Sequence, residues 1–203
     1  MNDNVAIIVK SSPRKVLNTG RYQGILRGIY DVGTHYSEKF GKSSRRLVLS
    51  WEIVGQKLDD GSPYTMSKTF TYSLNQKATL REAAEAMLDR PLVEKEIREG
   101  VNIATLIGKN CELRIQQRET DAGPSASIKG FLELPKSAKR YRPTDTCVFR
   151  IGMEIPEGTP QFIRDMITKS DEYKSRSSEG TVSEAGGSGS WPAEGEIQDE
   201  EAF

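Results

Sequence analysis

A run of ten residues, Arg45-Arg-Leu-Val-Leu-Ser-Trp-Glu-Ile-Val54, constrains the fold of this chain more than any other stretch. Leu47, Leu49, Trp51 and Ile53 occupy every second position, and Arg46, Val48, Ser50 and Glu52 fill the places between. Successive side chains of a strand point to opposite faces, so the run predicts a half-buried strand with the first set inside and the second outside. Trp51 shares the inner phase and is therefore a core residue rather than an exposed ring. A basic, glycine-bearing loop over 32–46 precedes the strand, a turn over 59–63 follows it, and 66–74 reads as its neighbour, rich in hydroxyl, β-branched and aromatic residues. Paired, the two make a sheet with an oily inside and an outside of arginine, lysine and small hydroxyls.

The rest of the chain extends this sheet. A first strand starts at Gly20 and runs to Asp31, with Gly24 and Gly28 marking a bulge or sharp bend. Its phase is ambiguous: Tyr22, Leu26 and Tyr30 suit one face, Ile25 and Ile29 the other. After the third strand the period becomes helical over 76–88, with Asn75 or Ser73 as cap and Pro91 beyond the end. A shorter helical piece fits 102–107. Strands return at 111–118, with Cys111, Leu113 and Ile115 inward, and at 125–134, with Ala126, Ile128, Leu132 and Leu134 inward and Phe131 outward. A further strand fits 146–151, and 160–170 reads as a short amphipathic helix with Phe162, Ile163, Met166 and Ile167 on one stripe, packed on the sheet.

Three strands, a helix and two strands is the order of an OB-fold, an all-β five-stranded barrel whose second and third strands and flanking loops bind oligonucleotides. The expected organisation is an arm over 1–17, the barrel domain over 18–152, a helical extension over 153–176 and a disordered acidic tail over 177–203.

Charge supports a polyanionic partner. The chain carries 29 basic and 29 acidic residues, but seven acids and no base follow Arg176, which leaves 22 acids against 29 bases in 1–176. A body of +7 attracts polyanions, and a tail of −7 attracts basic partners or the body itself. The tail contains Asp199, Glu200 and Glu201 and reaches Phe203; a hydrophobic residue on an anionic leash suits a basic, apolar-floored pocket, with a merely solubilising tail as the bland reading. Cys111 and Cys147 lack metal-ligand or paired spacing and fit a reducing compartment. The apolar run at 5–9 is too short for a secretory leader, and no run reaches the roughly 18 apolar residues of a membrane span. A soluble cytoplasmic protein is expected.

Catalysis is not expected. His35 stands without a neighbouring cysteine, there is no phosphate-cradling GxxxxGK[ST] loop, and the clustered carboxylates fall in the tail. No cofactor or metal is called for. Lys39, Lys42, Arg45 and Arg46 interleave with Tyr36 and Phe40, the mixture of cations and rings that holds unpaired nucleic acid. With Arg27, Lys68, Arg114, Arg118, Lys129 and Phe131 from the strands, these are the candidate single-stranded DNA contacts. The segment 136–143, with four positive charges around Tyr141, is either a further wrap for the polymer or a connector.

At several short motifs the chain resembles the single-stranded DNA-binding proteins of tailed bacteriophages. They are Gly20-Arg-Tyr, Tyr30-Asp-Val-Gly-Thr34, Phe40-Gly-Lys42, Ser67-Lys, Ser73-Leu-Asn-Gln-Lys-Ala-Thr-Leu-Arg81, Leu106-Ile-Gly-Lys109 and Ser170-Asp-Glu-Tyr-Lys174, spread over about residues 18–176. The resemblance implies an OB-fold that coats single-stranded DNA in phage replication, recombination and repair. It also implies an acidic tail that recruits replication or recombination proteins and competes with DNA. A recombination mediator with weak DNA binding and a metal-dependent nuclease are the competing readings.

Overall fold

The computed structural model describes residues 15–121 and 123–179. Six strands make one sheet: β1 (Gly20–Ser37), β2 (Lys42–Lys57), β3 (Pro63–Thr71), β4 (Asn110–Thr120), β5 (Gly123–Leu132) and β6 (Cys147–Phe149). Helices α1 (Thr79–Leu88) and α2 (Glu94–Glu99) lie between β3 and β4, and α3 (Gln161–Thr168) and α4 (Asp171–Glu179) follow β6. The long strands are antiparallel in the order β3-β2-β1-β4-β5, with β6 running parallel to β1 beside Gly28, Ile29 and Tyr30. No described helix is long and apolar enough to cross a membrane.

β2 is the centre of the core, as its alternation predicts. Leu47, Leu49, Trp51 and Ile53 are buried with Phe70 of β3, and Trp51 lies 5.3 Å from Phe131 and 6.2 Å from Phe70 between ring centroids. α1 closes the inner cluster with Leu80, Ala83, Ala84 and Met87. It begins at Thr79 after Ala78, with no side-chain cap, so neither Ser73 nor Asn75 caps it; Asn75 instead accepts the Ala78 N–H through its carbonyl. The expected helical piece near 102–107 is a single 3-10 turn, Ile103–Leu106, which buries Leu106.

Two bulges in β1, between Leu26 and Gly28 and between Asp31 and Gly33, explain its ambiguous phase. The first lets Leu26 and Ile29 share the inner cluster, while Tyr30 and Val32 turn to a second one. A further bulge, between the pairs Arg114–Gly130 and Ile115–Ile128, sets Lys129 outside the register of β5. It reverses the phase beyond it, so Phe131, expected outside, is 4 % exposed and in the core. Leu132, expected inside, is half-buried.

The expected loop over 32–46 is mostly a two-stranded ribbon. β1 and β2 stay paired to Ser37 and Lys42, joined by a 3-10 turn over Glu38–Phe40 and by Gly41 at φ 59°. Gly41 adopts the left-handed conformation that glycine reaches without strain.

The outer face of the β1–β2 pair is not free, contrary to the expectation for Val48. Ile163 and Ile167 of α3, one turn apart, pack with Phe149 on Tyr30, Val32 and Val48, and Val48 is 0 % exposed. Burying each isoleucine contributes about 1.5–3 kcal/mol. α4 then fixes the hairpin: Glu172 accepts the Thr34 N–H at 2.7 Å and its hydroxyl at 2.8 Å. Gly33, at φ 78°, makes room for this contact, since a Cβ there would fall 2.6 Å from Glu172 Oε2. α4 reaches Glu179, past the expected start of the tail at 177, and Leu17, placed in the expected arm, is buried in the inner cluster.

Burial pushes the Glu172 carboxyl up, but the Thr34 hydrogen bonds and the Arg45 charge outweigh it and hold it below the usual carboxylate range. A group depressed on folding contributes fully above its unfolded value and loses that contribution as pH falls through the folded one. Thermal melts from neutral pH to about pH 3 should therefore show Glu172→Gln less stable than the parent at neutral pH. The two curves should converge on acidification, and a constant gap would refute the role.

At the ends of the sheet, β3 and β5 face each other without a backbone ladder among the described residues. Phe70 and Phe131 meet there, 5.8 Å between centroids. Lys68 fills the seam, donating to the Ile128 carbonyl at 2.7 Å and lying 6.0 Å from the Phe131 ring centre. On the edge of β5, the Phe131 N–H is taken by Glu82 of α1 at 3.0 Å.

Candidate nucleic-acid interface

The exposed face of β3 is a row of hydroxyls. Thr65, Ser67, Thr69 and Thr71 alternate with Met66 and Phe70, which point inward, and pair with Glu52, Ser50, Val48 and Arg46 of β2. At roughly 3.3 Å per residue the row is about 20 Å long. A cleft lies at each end of it. The upper one, about 530 Å³, is lined by Phe40, Lys42, Ser44, Arg46, Thr69 and Thr71. The lower one, about 480 Å³, opens at the β3–β5 seam among Thr65, Ser67, Ser125, Pro160 and Phe162. The hydroxyl row runs from one cleft to the other, with Phe162 of α3 beside its lower end.

The tip of the hairpin supplies the rings and charges of the upper end. Phe40 is 68 % and Tyr36 62 % exposed, the opposite of what large apolar side chains do when they serve the core. Lys39 Nζ lies 5.6 Å from the Phe40 ring centre. Lys39, Lys42 and Arg46 have no carboxylate within ion-pair distance among the described residues.

The ion pairs that do form among the described residues sort the remaining candidates. Arg27, at the first β1 bulge, pairs with Asp145 and is neutralised. Arg45 is bound through both Nε and Nη2 to the buried Asp31, at 3.2 and 2.5 Å, and its guanidinium lies 5.3 Å from the Tyr72 ring centre. The hydrogen bond to Asp31 raises the Arg45 pKa further. Arg45 therefore positions Tyr72, which is 50 % exposed, and is itself largely committed. Lys68 belongs to the seam rather than to the outer face, and desolvation there lowers its pKa. Phe131 is excluded as a stacking ring by its burial against Trp51 and Phe70.

Arg114, Arg118 and Lys129 are exposed but lie on β4 and β5, beyond the seam cleft and apart from the hairpin tip. The segment 136–143 is tied to the sheet: Asn110 accepts the Tyr141 N–H and donates to its carbonyl, Gln23 donates to the Lys139 carbonyl, and Arg140 pairs with Asp89. Asp199, Glu200, Glu201 and Phe203 lie outside the described residues.

Residues that pattern reading missed are Tyr72, Phe162 and Arg21. Tyr72 continues the inward phase of Phe70 but lies one residue past the end of β3, and Phe162 sits on an apolar helical stripe of which only Ile163 and Ile167 are buried. Burial pushes the Cys111 thiol up to about 12, which leaves it a neutral core group. His35 Nε2 lies 3.0 Å from the Val32 carbonyl, and no group of three or more potential metal ligands occurs among the described residues. No protein-family model matches the chain, and a search of the curated proteins finds no match either.

Proposed function

We propose that this protein binds single-stranded DNA along the β3 groove, with little sequence preference and without making or breaking a bond. One observation carries the reading: the exposed Phe40 ring lines a cleft with Lys42 and Arg46, which lack acid partners among the described residues, at one end of a hydroxyl row about 20 Å long. Cations at Lys39, Lys42 and Arg46 release counterions from phosphates, the β3 hydroxyls donate to phosphate oxygens, and Phe40 and Tyr36 offer faces on which bases stack. Every base has such a face, so sequence matters little.

The strand order β3-β2-β1-β4-β5, with α1 following β3, supports an OB-fold whose β3–β5 closure is made by Lys68 and ring contacts. On this reading the hairpin between β1 and β2 is the binding loop of that fold. The acidic residues of the tail recruit replication or recombination proteins and compete with DNA, in the cytoplasm of a phage-infected bacterium.

A fluorescence-anisotropy titration with oligo-dT and a duplex of equal length tests the function. The expected result is preferential binding of the single strand, with log affinity falling steeply as log salt rises. Binding that is equal for duplex, or indifferent to salt, would overturn the proposal. Degradation of the strand on adding magnesium would replace it with a nuclease.

A further inference from the structure

We infer that the polynucleotide path continues past the lower cleft onto the outer face of β4 and β1, along Arg118, Arg114 and Arg21. This rests on the groove being a single-stranded DNA site, and it lengthens that site.

Ser125 lines the lower cleft and pairs directly with Arg118 across the β4–β5 ladder, which places that exposed side chain one strand away from the cleft. Arg114 lies four residues along the same face of β4, about 13 Å away at roughly 3.3 Å per residue. Arg21 stands directly opposite Arg114 in the β1–β4 register.

The register sets like charges side by side, a juxtaposition that a bound anion would relieve. Like charges directly opposite on neighbouring strands weaken a sheet. Glu112 partly offsets Arg21, at 3.3 Å, but among the described residues neither Arg114 nor Arg118 forms an ion pair. Gly130, the partner of Arg114 on β5, shapes the place: a Cβ there would fall 2.5 Å from Arg114 Nη2 and 2.7 Å from Nε. Without that Cβ the guanidinium lies across β5 instead of projecting away from it. Lys129, set out by the bulge, adds a further exposed cation one residue before Gly130. A line of cations that starts one strand away from the lower cleft fits the phosphates of one strand.

The test compares the full chain with Arg21→Ala/Arg114→Ala, using oligo-dT of about 6 and about 16 nucleotides, within the usual range of site sizes. The double variant should bind the short oligonucleotide as the parent does. On the long one, its log–log salt slope should fall by roughly 1.4, at about 0.7 for each phosphate no longer neutralised. Gly130→Ala, which displaces the guanidinium and keeps its charge, should reproduce part of the loss at an unchanged melting temperature. Equal slopes for parent and double variant on the long oligonucleotide would overturn this inference and leave the groove standing. Failure of the parent to bind either length would remove both. A peptide of residues 194–203 that binds the parent and not the double variant, with long-oligonucleotide binding equal in the two, would make the arginines an acidic-peptide site and also overturn it.

Discussion

If the proposed function holds, Phe40→Ala should weaken binding of oligo-dT by about 1–3 kcal/mol, the usual worth of one base stacked on an aromatic ring. That is a rise in Kd of roughly five- to 140-fold. The ring is 68 % exposed, so its removal opens no cavity and the melting temperature should stay close to that of the parent. All that the folded protein gives up is the attraction between the Lys39 ammonium and the ring, worth about 0.5–1 kcal/mol at an exposed site. The salt slope should not change, because every phosphate keeps its cation. Lys42→Ala/Arg46→Ala should do the reverse, lowering the slope by roughly 1.4 at about 0.7 per phosphate. An alanine at position 40 that leaves affinity untouched would remove the hairpin tip from the site.

Phe131→Ala separates the core reading from the surface one by direction of effect. The ring packs against Trp51 and Phe70 at 5.3 and 5.8 Å between centroids, so truncation leaves a cavity in the centre of the inner cluster. The expected loss is about 3–5 kcal/mol of stability, or roughly 6–20 °C in Tm for a chain of this size. Below the lowered transition, oligo-dT affinity should remain within about twofold of the parent. A stable variant with weak DNA binding would mean that the ring stacks on bases after all. Urea unfolding and anisotropy on the same samples decide it.

Comparison of these two phenylalanines shows what the residue pattern reveals and what it conceals. Where a strand keeps its register, alternation suffices: the inner faces of β2 and β4 and the buried stripe of α3 follow directly from apolar spacing. Phe131 is concealed because the bulge at Lys129 inserts one residue and exchanges the two faces beyond it. Val48 is concealed for a different reason. Its phase is outward, as the alternation says, but a distant helix covers it, and a strand's own sequence does not encode its cover. Lys68 has the inward phase of Met66 and Phe70, yet it lies at the one place where the described sheet is not zipped and an ammonium can reach a carbonyl. Charge, glycine and serine make the hairpin look like a loop, although backbone pairing needs none of the apolar residues that mark a core strand. The site divides similarly. Phe40, Lys42 and Arg46 are visible as a local mixture of rings and cations, whereas the pairing of Arg27 and Arg45 with acids depends on distant neighbours or on register.

The covering of Val48 and Tyr30 by Ile163 and Ile167 has a consequence for biosynthesis. The β1–β2 hairpin is translated more than a hundred residues before α3, the helix that roofs it. A released chain that stops before residue 161 keeps every residue of the inner cluster but bares an oily patch on its back, with Thr34 lacking its carboxylate. The orientation of the hairpin tip is therefore settled only once α3 and α4 have been made, and products truncated before them would be sticky.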